Sequence, residues 1–210
     1  AKTQSIKDFI VASSSSVYGN SAKAPFSETH FVGEPISPYA ATKRATELAC
    51  HTHVHLYEMS VIALRFFTVY GPRQRPDLAI HKFARLLREG RPLPMFGDGT
   101  TARDYTYIED ILQGIEGARG LLESSHDPRF EIINLGESRT VTLSEMIKIL
   151  SEEMGTKAEI DQLPPQPGDV RQTYADITKA QELLGYDPRW EFRDGVRMFL
   201  NWFEGTREGL

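Results

Sequence analysis

Short apolar runs alternate with longer amphipathic stretches along this chain. Residues 8–12 and 60–67 are apolar along most of their length, and residues 131–135 have the same character. Runs of this length are typical of strands buried on both faces of a parallel sheet. The first run is followed by four serines that begin at Ser13, and the second by Gly71-Pro72. The pattern therefore predicts three buried strands, the first two ending in loops.

Between these runs, apolar residues stand three and four positions apart, which is the spacing of an amphipathic helix. Ser37-Pro38 favours a helix start, and Thr142 stands three residues before Glu145, the spacing of a capping box. The pattern predicts helices over residues 39–58, 78–89, 104–124, 178–184 and 192–204, a further helix beginning at Thr142, and a strand within residues 157–163. Strands alternating with helices predict an α/β fold with a parallel sheet.

Composition and charge narrow the class of protein. The 210 residues carry a net charge of −5 and show no basic stripe, which argues against a nucleic-acid or anionic-membrane partner. No apolar run approaches the roughly 18 residues of a membrane span. Cys50 is the single cysteine, so no internal disulfide can form. We therefore expect a reducing, cytoplasmic location.

Tyr39 and Lys43 stand four residues apart on the predicted helix 39–58. That spacing puts a phenol and an ammonium group on one helix face, about 5–6 Å apart at Cβ. The ammonium favours the phenolate form of its neighbour, so the pair is a candidate general base for a substrate hydroxyl. A serine hydroxyl at a neighbouring strand end could hydrogen-bond the same oxygen. Taken alone, the spacing more often belongs to an ordinary surface tyrosine and lysine than to a functional pair.

Further motifs give this pair its context. They are Val11-Ala-Ser-Ser-Ser-Ser-Val-Tyr-Gly19, Ser37-Pro-Tyr-Ala-Ala-Thr-Lys43, Leu64-Arg-Phe-Phe-Thr-Val-Tyr-Gly-Pro72, Gly97-Asp-Gly-Thr-Thr-Ala-Arg-Asp-Tyr105, Tyr107-Ile-Glu-Asp-Ile111, Asn134-Leu-Gly136, Pro167-Gly-Asp-Val170 and Tyr174-Ala-Asp176. In this order they cover nearly the whole chain. The sequence resembles the nucleotide-sugar epimerases of the extended short-chain dehydrogenase/reductase family.

The resemblance implies NAD as cofactor and a role for each matching position. Tyr39 would be the general base, and Lys43 its partner and a ligand of the cofactor ribose. Ser14 matches the family's catalytic serine, with Ser15 and Ser16 close enough to compete for that role. The implied cofactor-binding residues are Tyr39, Lys43, Phe66 (beside the nicotinamide) and Ala12.

The resemblance also implies a UDP-sugar substrate. Arg103 would bind the diphosphate, for which a guanidinium fork is well suited. Phe96 would pack on the uracil ring. The implied substrate-binding residues are Thr68, Arg75, Asp77, Phe96, Arg103, Gln166 and Asp169. The run from Arg75 to Leu78 is most similar to the UDP-glucuronate 4-epimerases. Gln166 stands where the UDP-galactose epimerases have an arginine, which also favours the UDP-glucuronate enzymes.

Comparison within the family favours epimerisation. Related dehydratases carry an Asp-Glu pair, and related decarboxylases a Glu, where Ser15 and Ser16 stand here. Without a carboxylate for elimination, we expect oxidation at C4 to a 4-keto sugar followed by reduction on the other face. The resemblance also suggests a homodimer formed through the helix that carries Tyr39. A UDP-sugar decarboxylase or reductase, and a chain that binds a nucleotide sugar without catalysis, remain alternatives.

The family's glycine-rich turn, which holds the NAD pyrophosphate at a helix N-terminus, has no counterpart before the first strand. Residues 114–120 match Gly-x-x-Gly-x-x-Gly, but they lie inside a predicted helix with no strand before them. We interpret these glycines as allowing close helix packing. We therefore expect this chain alone to bind NAD weakly and to have little epimerase activity, and we expect an exposed sheet edge.

The resemblance also implies a division of the chain. We expect the second part of a Rossmann-type parallel sheet in residues 1–72, a substrate-binding segment in 73–103, a return to the sheet in 104–136, and a small α/β substrate-binding domain in 137–210.

His51, His53 and His55 invite a metal-site interpretation. Because further ligands are missing at metal spacing, we expect a solvated or dimer-facing surface there and no metal.

Overall fold

The structure is a computed structural model, which describes residues 6–20, 23–125, 127–165 and 170–205. The strands are β1 (Asp8–Ser14), β2 (Ser60–Phe66), β3 (Thr68–Tyr70), β4 (Leu93–Phe96), β5 (Ala102–Arg103), β6 (Tyr105–Tyr107), β7 (Phe130–Leu135), β8 (Val141–Thr142) and β9 (Ile160–Leu163). The helices are α1 (Pro38–Tyr57), α2 (Ala79–Arg88), α3 (Ile108–Ser124), α4 (Leu143–Glu153), α5 (Thr178–Leu184) and α6 (Phe192–Gly205). The α/β fold predicted from the sequence is confirmed.

The main sheet has three parallel strands in the order β1-β2-β7. β2 is central and almost wholly buried, as its apolar sequence predicts. β1 differs from the prediction in two ways. It continues through Ser14, and most of its residues are only half-buried, because among the described strands it pairs with β2 alone and forms an edge. The sheet brings Ser14 level with Phe66 at its carboxyl end.

The helix α1 begins where the sequence predicts it. The Ser37 side chain accepts a hydrogen bond from the Ala40 backbone N–H at 3.1 Å, and Pro38 occupies the first turn. A serine cap satisfies one of the free N–H groups of a helix start, and proline there loses no hydrogen bond. The helix ends at Tyr57 and is followed by Glu58, whose backbone is left-handed with φ of 50°. This start places Tyr39 in the first helical turn.

The predicted helix 104–124 starts four residues later than expected. Tyr105–Tyr107 pairs in parallel with Thr68–Tyr70, and α3 begins at Ile108. The buried Asp104 carboxylate accepts hydrogen bonds from the backbone N–H groups of Glu137, Ser138 and Ala175. Because these bonds fix Asp104 between separate segments, tertiary contacts override the helical spacing of the sequence. The strand expected within 157–163 is the shorter Ile160–Leu163.

Two apolar clusters divide the interior. One lies around the main sheet and includes Ile62, Leu64 and Ile133, with α3 and α5 packed against it. The other is built mainly from α2, α4 and α6 and includes the rings of Tyr70, Tyr105, Tyr107 and Phe199. Trp190 and Trp202 are partly buried against this second cluster. None of the described helices is long and apolar enough to cross a bilayer.

Two of the glycines at 114–120 serve close packing, as expected. A Cβ at Gly114 would lie 2.6 Å from the Leu135 side chain, and a Cβ at Gly117 would lie 2.6 Å from the Leu184 carbonyl oxygen. The third, Gly120, faces open space. The glycine spacing therefore belongs to the packing of α3 against β7 and α5. The four-part division of the chain stays a prediction.

Candidate functional site

The ammonium group of Lys43 lies between the tyrosine and the first strand. Its Nζ donates a hydrogen bond to the Ala12 carbonyl oxygen at 2.9 Å and is 5.7 Å from the centre of the Tyr39 ring. Tyr39 itself is 56% exposed. The Lys43 ammonium thus contacts two other residues singled out in the sequence, Ala12 and Tyr39, and the phenol remains accessible. Tyr39 and Lys43 lie on the same face of α1, as their spacing in the sequence predicts.

The four serines after Ala12 have distinct environments. Ser13 is buried in β1 and donates to the Glu47 carboxylate at 2.6 Å. Ser14 ends β1 and caps a short 3-10 turn, Ser15–Tyr18. Its side-chain oxygen accepts hydrogen bonds from both the backbone N–H and the hydroxyl of Ser16. Because that oxygen already accepts two bonds, its own proton is what Ser14 can offer to a further partner.

Phe66 lies level with Ser14 at the carboxyl end of the sheet. Its ring is partly buried against the sheet cluster. Thr68 follows two residues later, where its backbone N–H donates to the Asp104 carbonyl oxygen at 3.0 Å. Ala12, Ser14, Phe66 and Lys43 therefore lie close to the carboxyl ends of β1 and β2. The carboxyl ends of the strands are where α/β proteins build their ligand sites.

A cavity of about 1080 Å³ lies at the end of β4. Phe96, the last residue of β4, lines it together with Arg171 and Gln172. Leu163, Pro164 and Pro165 form another part of its wall, since β9 pairs with β4. Sequence reasoning identified Phe96 but missed Arg171 and Gln172, although both follow directly after the Pro-Gly-Asp motif. The available indication was the position of Arg171 two residues after Asp169, which the resemblance implies as a substrate-binding residue.

The other substrate-binding candidates are spread more widely. Arg103 is half-buried in β5 and donates to the Ala102 carbonyl oxygen at 3.0 Å. Arg75 and Asp77 form an exposed ion pair with each other at 3.1 Å, just before α2. Gln166 and Asp169 lie outside the described residues. The roles implied for these residues stay predictions.

A buried polar network that no local sequence pattern predicts links α1 to the sheet. Glu47 and Arg65 are each 1% exposed and form a two-pronged ion pair, with oxygen–nitrogen distances of 2.8 and 2.9 Å. The Arg65 guanidinium lies 4.8 Å above the ring of Tyr18. Tyr18 donates its hydroxyl to Asn134 at 2.7 Å. The network reaches from the catalytic candidates to β7.

Asp104, Asp110 and Glu137 form a second set of buried polar residues. Burial raises the pKa of Asp104 to about 6, although three backbone N–H groups bind its carboxylate. Burial, followed by the negative charge of the neighbouring Asp110, raises the pKa of Glu137 to about 8. Asp110 also accepts bonds from the backbone N–H groups of Arg189 and Trp190. These carboxyl groups tie α3 and the segment after β7 to the chain before α6.

The histidines of α1 make other contacts. The ring of His51 meets Phe130 edge-on at 5.3 Å, and His53 Nδ1 is 2.8 Å from the Ala49 carbonyl oxygen. Within the described ranges, no group of three or more histidine, cysteine or carboxylate side chains is arranged to hold a metal ion. Cys50 is half-buried, and burial raises the pKa of its thiol, which disfavours a reactive thiolate.

Comparison with known proteins adds independent information. The family model described as GDP-mannose 4,6 dehydratase matches residues 1–199. A UDP-glucuronate 4-epimerase of Thermodesulfobacterium geofontis is 41% identical over 198 residues, which are 94% of this chain and 59% of that protein. An uncharacterized protein of Methanocaldococcus jannaschii is 43% identical over 210 residues, covering 100% of this chain and 63% of that protein. The chain therefore spans about three-fifths of the length of these relatives.

Solved structures agree with the sequence relatives. UDP-glucuronic acid 4-epimerase from Bacillus cereus, in complex with UDP-glucuronic acid and NAD, matches with a TM-score of 0.87 and 39% identity. The match covers 95% of this chain and 62% of that one. The epimerase Mth375 from Methanothermobacter thermautotrophicus matches with a TM-score of 0.91 and 31% identity, over 99% of this chain and 62% of that one.

Proposed function

Because this chain belongs to the GDP-mannose 4,6 dehydratase family of extended short-chain dehydrogenase/reductase proteins, alongside their NAD-dependent UDP-sugar epimerases, we propose that the whole protein inverts C4 of a UDP-sugar. The proposed substrate is UDP-glucuronate and the product UDP-galacturonate. The observation that carries this proposal is the Lys43 ammonium, held by the Ala12 carbonyl oxygen beside the exposed Tyr39 ring. The likeness to UDP-glucuronate 4-epimerases supports the choice of sugar.

The residues at the carboxyl end of the main sheet suit the nicotinamide end of NAD. Lys43 and Tyr39 offer an ammonium and a phenol suited to ribose hydroxyls, and Phe66 offers a ring suited to the flat nicotinamide. When bound, NAD supplies a reversible hydride acceptor for C4 of the sugar. Among the described residues, the Gly-x-x-Gly-x-x-Gly match lies inside α3, which does not suit a pyrophosphate. We propose that the pyrophosphate contacts come from elsewhere in the whole protein.

In the proposed mechanism, Tyr39 accepts the proton of the C4 hydroxyl as that carbon is oxidised. The Lys43 ammonium, 5.7 Å from the centre of the Tyr39 ring, supplies positive charge beside this phenol. Ser14 donates its hydroxyl proton in a hydrogen bond to the same C4 oxygen, because its own oxygen is occupied by Ser16. The 4-keto sugar then rotates within the site so that it presents its other face. Tyr39 returns the proton to the oxygen as C4 is reduced on that face. Proton transfer and hydrogen bonding thus act on one oxygen in both directions.

Epimerisation is favoured over elimination by the side chains near this oxygen. The positions at which related dehydratases carry two carboxylates hold Ser15 and Ser16, which form the 3-10 turn. The carboxylate of Glu47 on α1, which accepts a hydrogen bond from Ser13 in β1, is buried and bonded to Arg65. A carboxylate already engaged in this way is a poor base for removing the C5 proton of a sugar. Oxidation and reduction at C4 therefore fit these residues better than loss of water.

We propose the cavity at the end of β4 as the uridine site. Phe96 offers a ring for stacking on uracil, and Arg171 a guanidinium for the diphosphate or the uracil carbonyls. Base stacking on an aromatic side chain contributes about 1–3 kcal/mol. The volume of about 1080 Å³ is ample for a nucleoside diphosphate.

We also propose a homodimer through α1 and α3. Leu48 and Leu56, two turns apart on α1, are 54% and 58% exposed, and Leu112 on α3 is 52% exposed. Leucines at this spacing on one helix face support packing against a partner helix. Sedimentation analysis of the whole protein at micromolar concentration is expected to give twice the mass of one chain, and a monomer would contradict the proposal.

The function is tested by incubating the whole protein with UDP-glucuronate and NAD, followed by chromatography and mass spectrometry. We expect a second UDP-hexuronate of unchanged mass. A UDP-pentose with release of carbon dioxide would identify a decarboxylase, and a reduced sugar a reductase. Calorimetric binding of UDP without any conversion would identify a protein that binds the nucleotide sugar only.

A further inference from the structure

Glu47 is the most fully engaged carboxylate near the proposed active site. It lies on α1 one turn after Lys43 and two turns after Tyr39. Its Oε1 accepts hydrogen bonds from Ser13 Oγ at 2.6 Å and Arg65 Nε at 2.8 Å. Its Oε2 accepts from Arg65 Nη2 and Arg44 Nη1, both at 2.9 Å. With four donors, little capacity remains for a substrate, so Glu47 is not itself a proton carrier.

The partners of Glu47 are the immediate neighbours of the proposed site residues. Ser13 stands in β1 between Ala12, which holds Lys43, and Ser14, which offers its hydroxyl. Arg65 precedes Phe66 in β2 and is level with Ser13 across the sheet. One carboxylate therefore clamps the helix of the proposed base to the two strands of the hydroxyl donor and the cofactor-side ring. We call Ser13, Glu47 and Arg65 the clamp.

The clamp continues toward the substrate side of the chain. Arg65 stacks on Tyr18, whose hydroxyl donates to Asn134 Oδ1. The Asn134 amide donates to the carbonyl oxygens of Phe26 and Asp176 at 2.7 and 3.1 Å. Burial raises the pKa of Tyr18 to about 12, so this phenol stays a neutral donor. The same polar chain thus touches α1, the main sheet and the segment after the cavity wall.

We propose that Glu47 is a positioning residue, which through Ser13 and Arg65 holds Tyr39 and Lys43 at a fixed distance from Ser14 and Phe66. This inference rests on the proposed function and deepens it. A buried ion pair stabilises a fold little better than apolar residues of similar volume. Its directional bonds do fix relative positions, and a displacement of about 1 Å can lower a rate about 100-fold.

The test compares variants of the whole protein. Glu47→Gln keeps the shape of the side chain but removes its charge, and Ser13→Ala removes only the hydroxyl. We expect kcat to fall about 10- to 100-fold for Glu47→Gln and a few-fold for Ser13→Ala, with the sugar KM changed less than about threefold. Arg44→Ala is the matched control, since Arg44 binds the same carboxylate from within α1 without joining it to a strand. Its kcat should match that of the wild type.

A triple variant, Ser13→Ala with Glu47→Leu and Arg65→Met, separates position from stability. Because this variant leaves no buried group of the clamp without its partner, its unfolding temperature is expected to return toward the wild-type value, above that of Glu47→Gln. Its kcat is expected to stay low. Recovery of kcat along with stability would overturn the proposal. If the variants at Glu47 and Arg65 do not fold, Ser13→Ala decides: a kcat equal to that of the wild type would overturn the proposal as well.

A readout independent of turnover distinguishes failure of this inference from failure of the proposed function. In acetylation followed by mass spectrometry, the rate for Lys43 should rise several-fold in Glu47→Gln relative to wild type, because its contact with Ala12 loosens. The exposed Lys148 should react at the same rate in both proteins. An unchanged Lys43 rate overturns the positioning role. A wild-type protein without epimerase activity, but with the expected change at Lys43, refutes only the proposed function.

Discussion

The hydroxyl of Ser16 donates a hydrogen bond to the side-chain oxygen of Ser14 at 3.0 Å. Together with the bond from the Ser16 backbone N–H at 3.2 Å, it aligns Ser14 at the end of β1. This relationship ranks the three serines that the sequence could not separate. Ser14 is the outward donor in the proposed mechanism, Ser16 its support, and Ser15 a neighbour in the same turn.

Alanine variants of the three serines are therefore expected to differ in turnover. Ser14→Ala should lower kcat about 100-fold, the usual effect of removing one donor to a reacting oxygen. Ser16→Ala should lower it less, about 3- to 10-fold, since Ser14 keeps its own proton. Ser15→Ala should give the smallest loss. Steady-state kinetics with UDP-glucuronate checks this order, and a largest loss at Ser15 would contradict it.

Loss of the ring of Phe96 is expected to weaken nucleotide binding rather than catalysis. Phe96→Ala should raise the dissociation constant for UDP about 10- to 100-fold, the value of one stacking contact, with kcat nearly unchanged. Arg171→Ala should act in the same direction. Calorimetric titration with UDP is the measurement. Equal UDP affinity of both variants and the wild type would place the uridine site elsewhere.

Glycine substitutions in α3 separate packing from nucleotide binding. Gly117→Ala should lower the free energy of unfolding, because its Cβ would meet the Leu184 carbonyl oxygen at 2.6 Å. Gly120→Ala faces open space and should raise that free energy by up to about 1 kcal/mol, the difference in helix propensity. Urea denaturation checks both. Loss of NAD affinity in Gly120→Ala would instead indicate a nucleotide loop.

Stability is expected to fall as pH rises from about 5 to 9. The pKa of Glu137 is about 8 in the folded protein, against 4.5 for an unperturbed glutamate. Between these values the folded chain keeps a proton that the unfolded chain has released, so raising the pH favours unfolding. The contribution is fully present below pH 4.5 and is lost as pH passes about 8. The raised pKa of Asp104 acts in the same direction at lower pH.

Glu137→Gln tests this assignment, because the amide stays neutral at every pH. Thermal unfolding from pH 5 to 9 should show a decline that is smaller in the variant by about 1–3 kcal/mol in free energy of unfolding. Glu123→Gln, at an exposed position of α3, is the control and should follow the wild type. Parallel curves for wild type and Glu137→Gln would show that the decline has another origin.

Local patterns in the sequence predicted much of this fold. The buried strand β2, the start of α1 at Ser37 and the packing glycines of α3 each follow from spacing or capping rules. The predicted start of α3 was wrong because the Asp104 carboxylate accepts hydrogen bonds from backbone groups 33, 34 and 71 positions away. The partial exposure of β1 depends on its place at the edge of the described sheet, which its own residues do not encode.

The candidate site divides in the same way. Tyr39 and Lys43 were proposed because helical periodicity brings them together, and Phe96 because of the family resemblance. Glu47 and Arg65 were missed because they are 18 residues apart and meet only when α1 packs on β2. Burial of a charged pair depends on tertiary structure, which local spacing does not report. The cytoplasmic location and the homodimer stay predictions.

The central claim is that C4 loses a hydride and regains it within one site, with Tyr39 as the base. It is tested most directly with UDP-glucuronate deuterated at C4, by following product formation and deuterium content in the wild type and in Tyr39→Phe. We expect the wild-type product to retain its deuterium and Tyr39→Phe to turn over at least about 100-fold more slowly. Exchange of the deuterium with solvent, or an undiminished rate in Tyr39→Phe, would contradict the account.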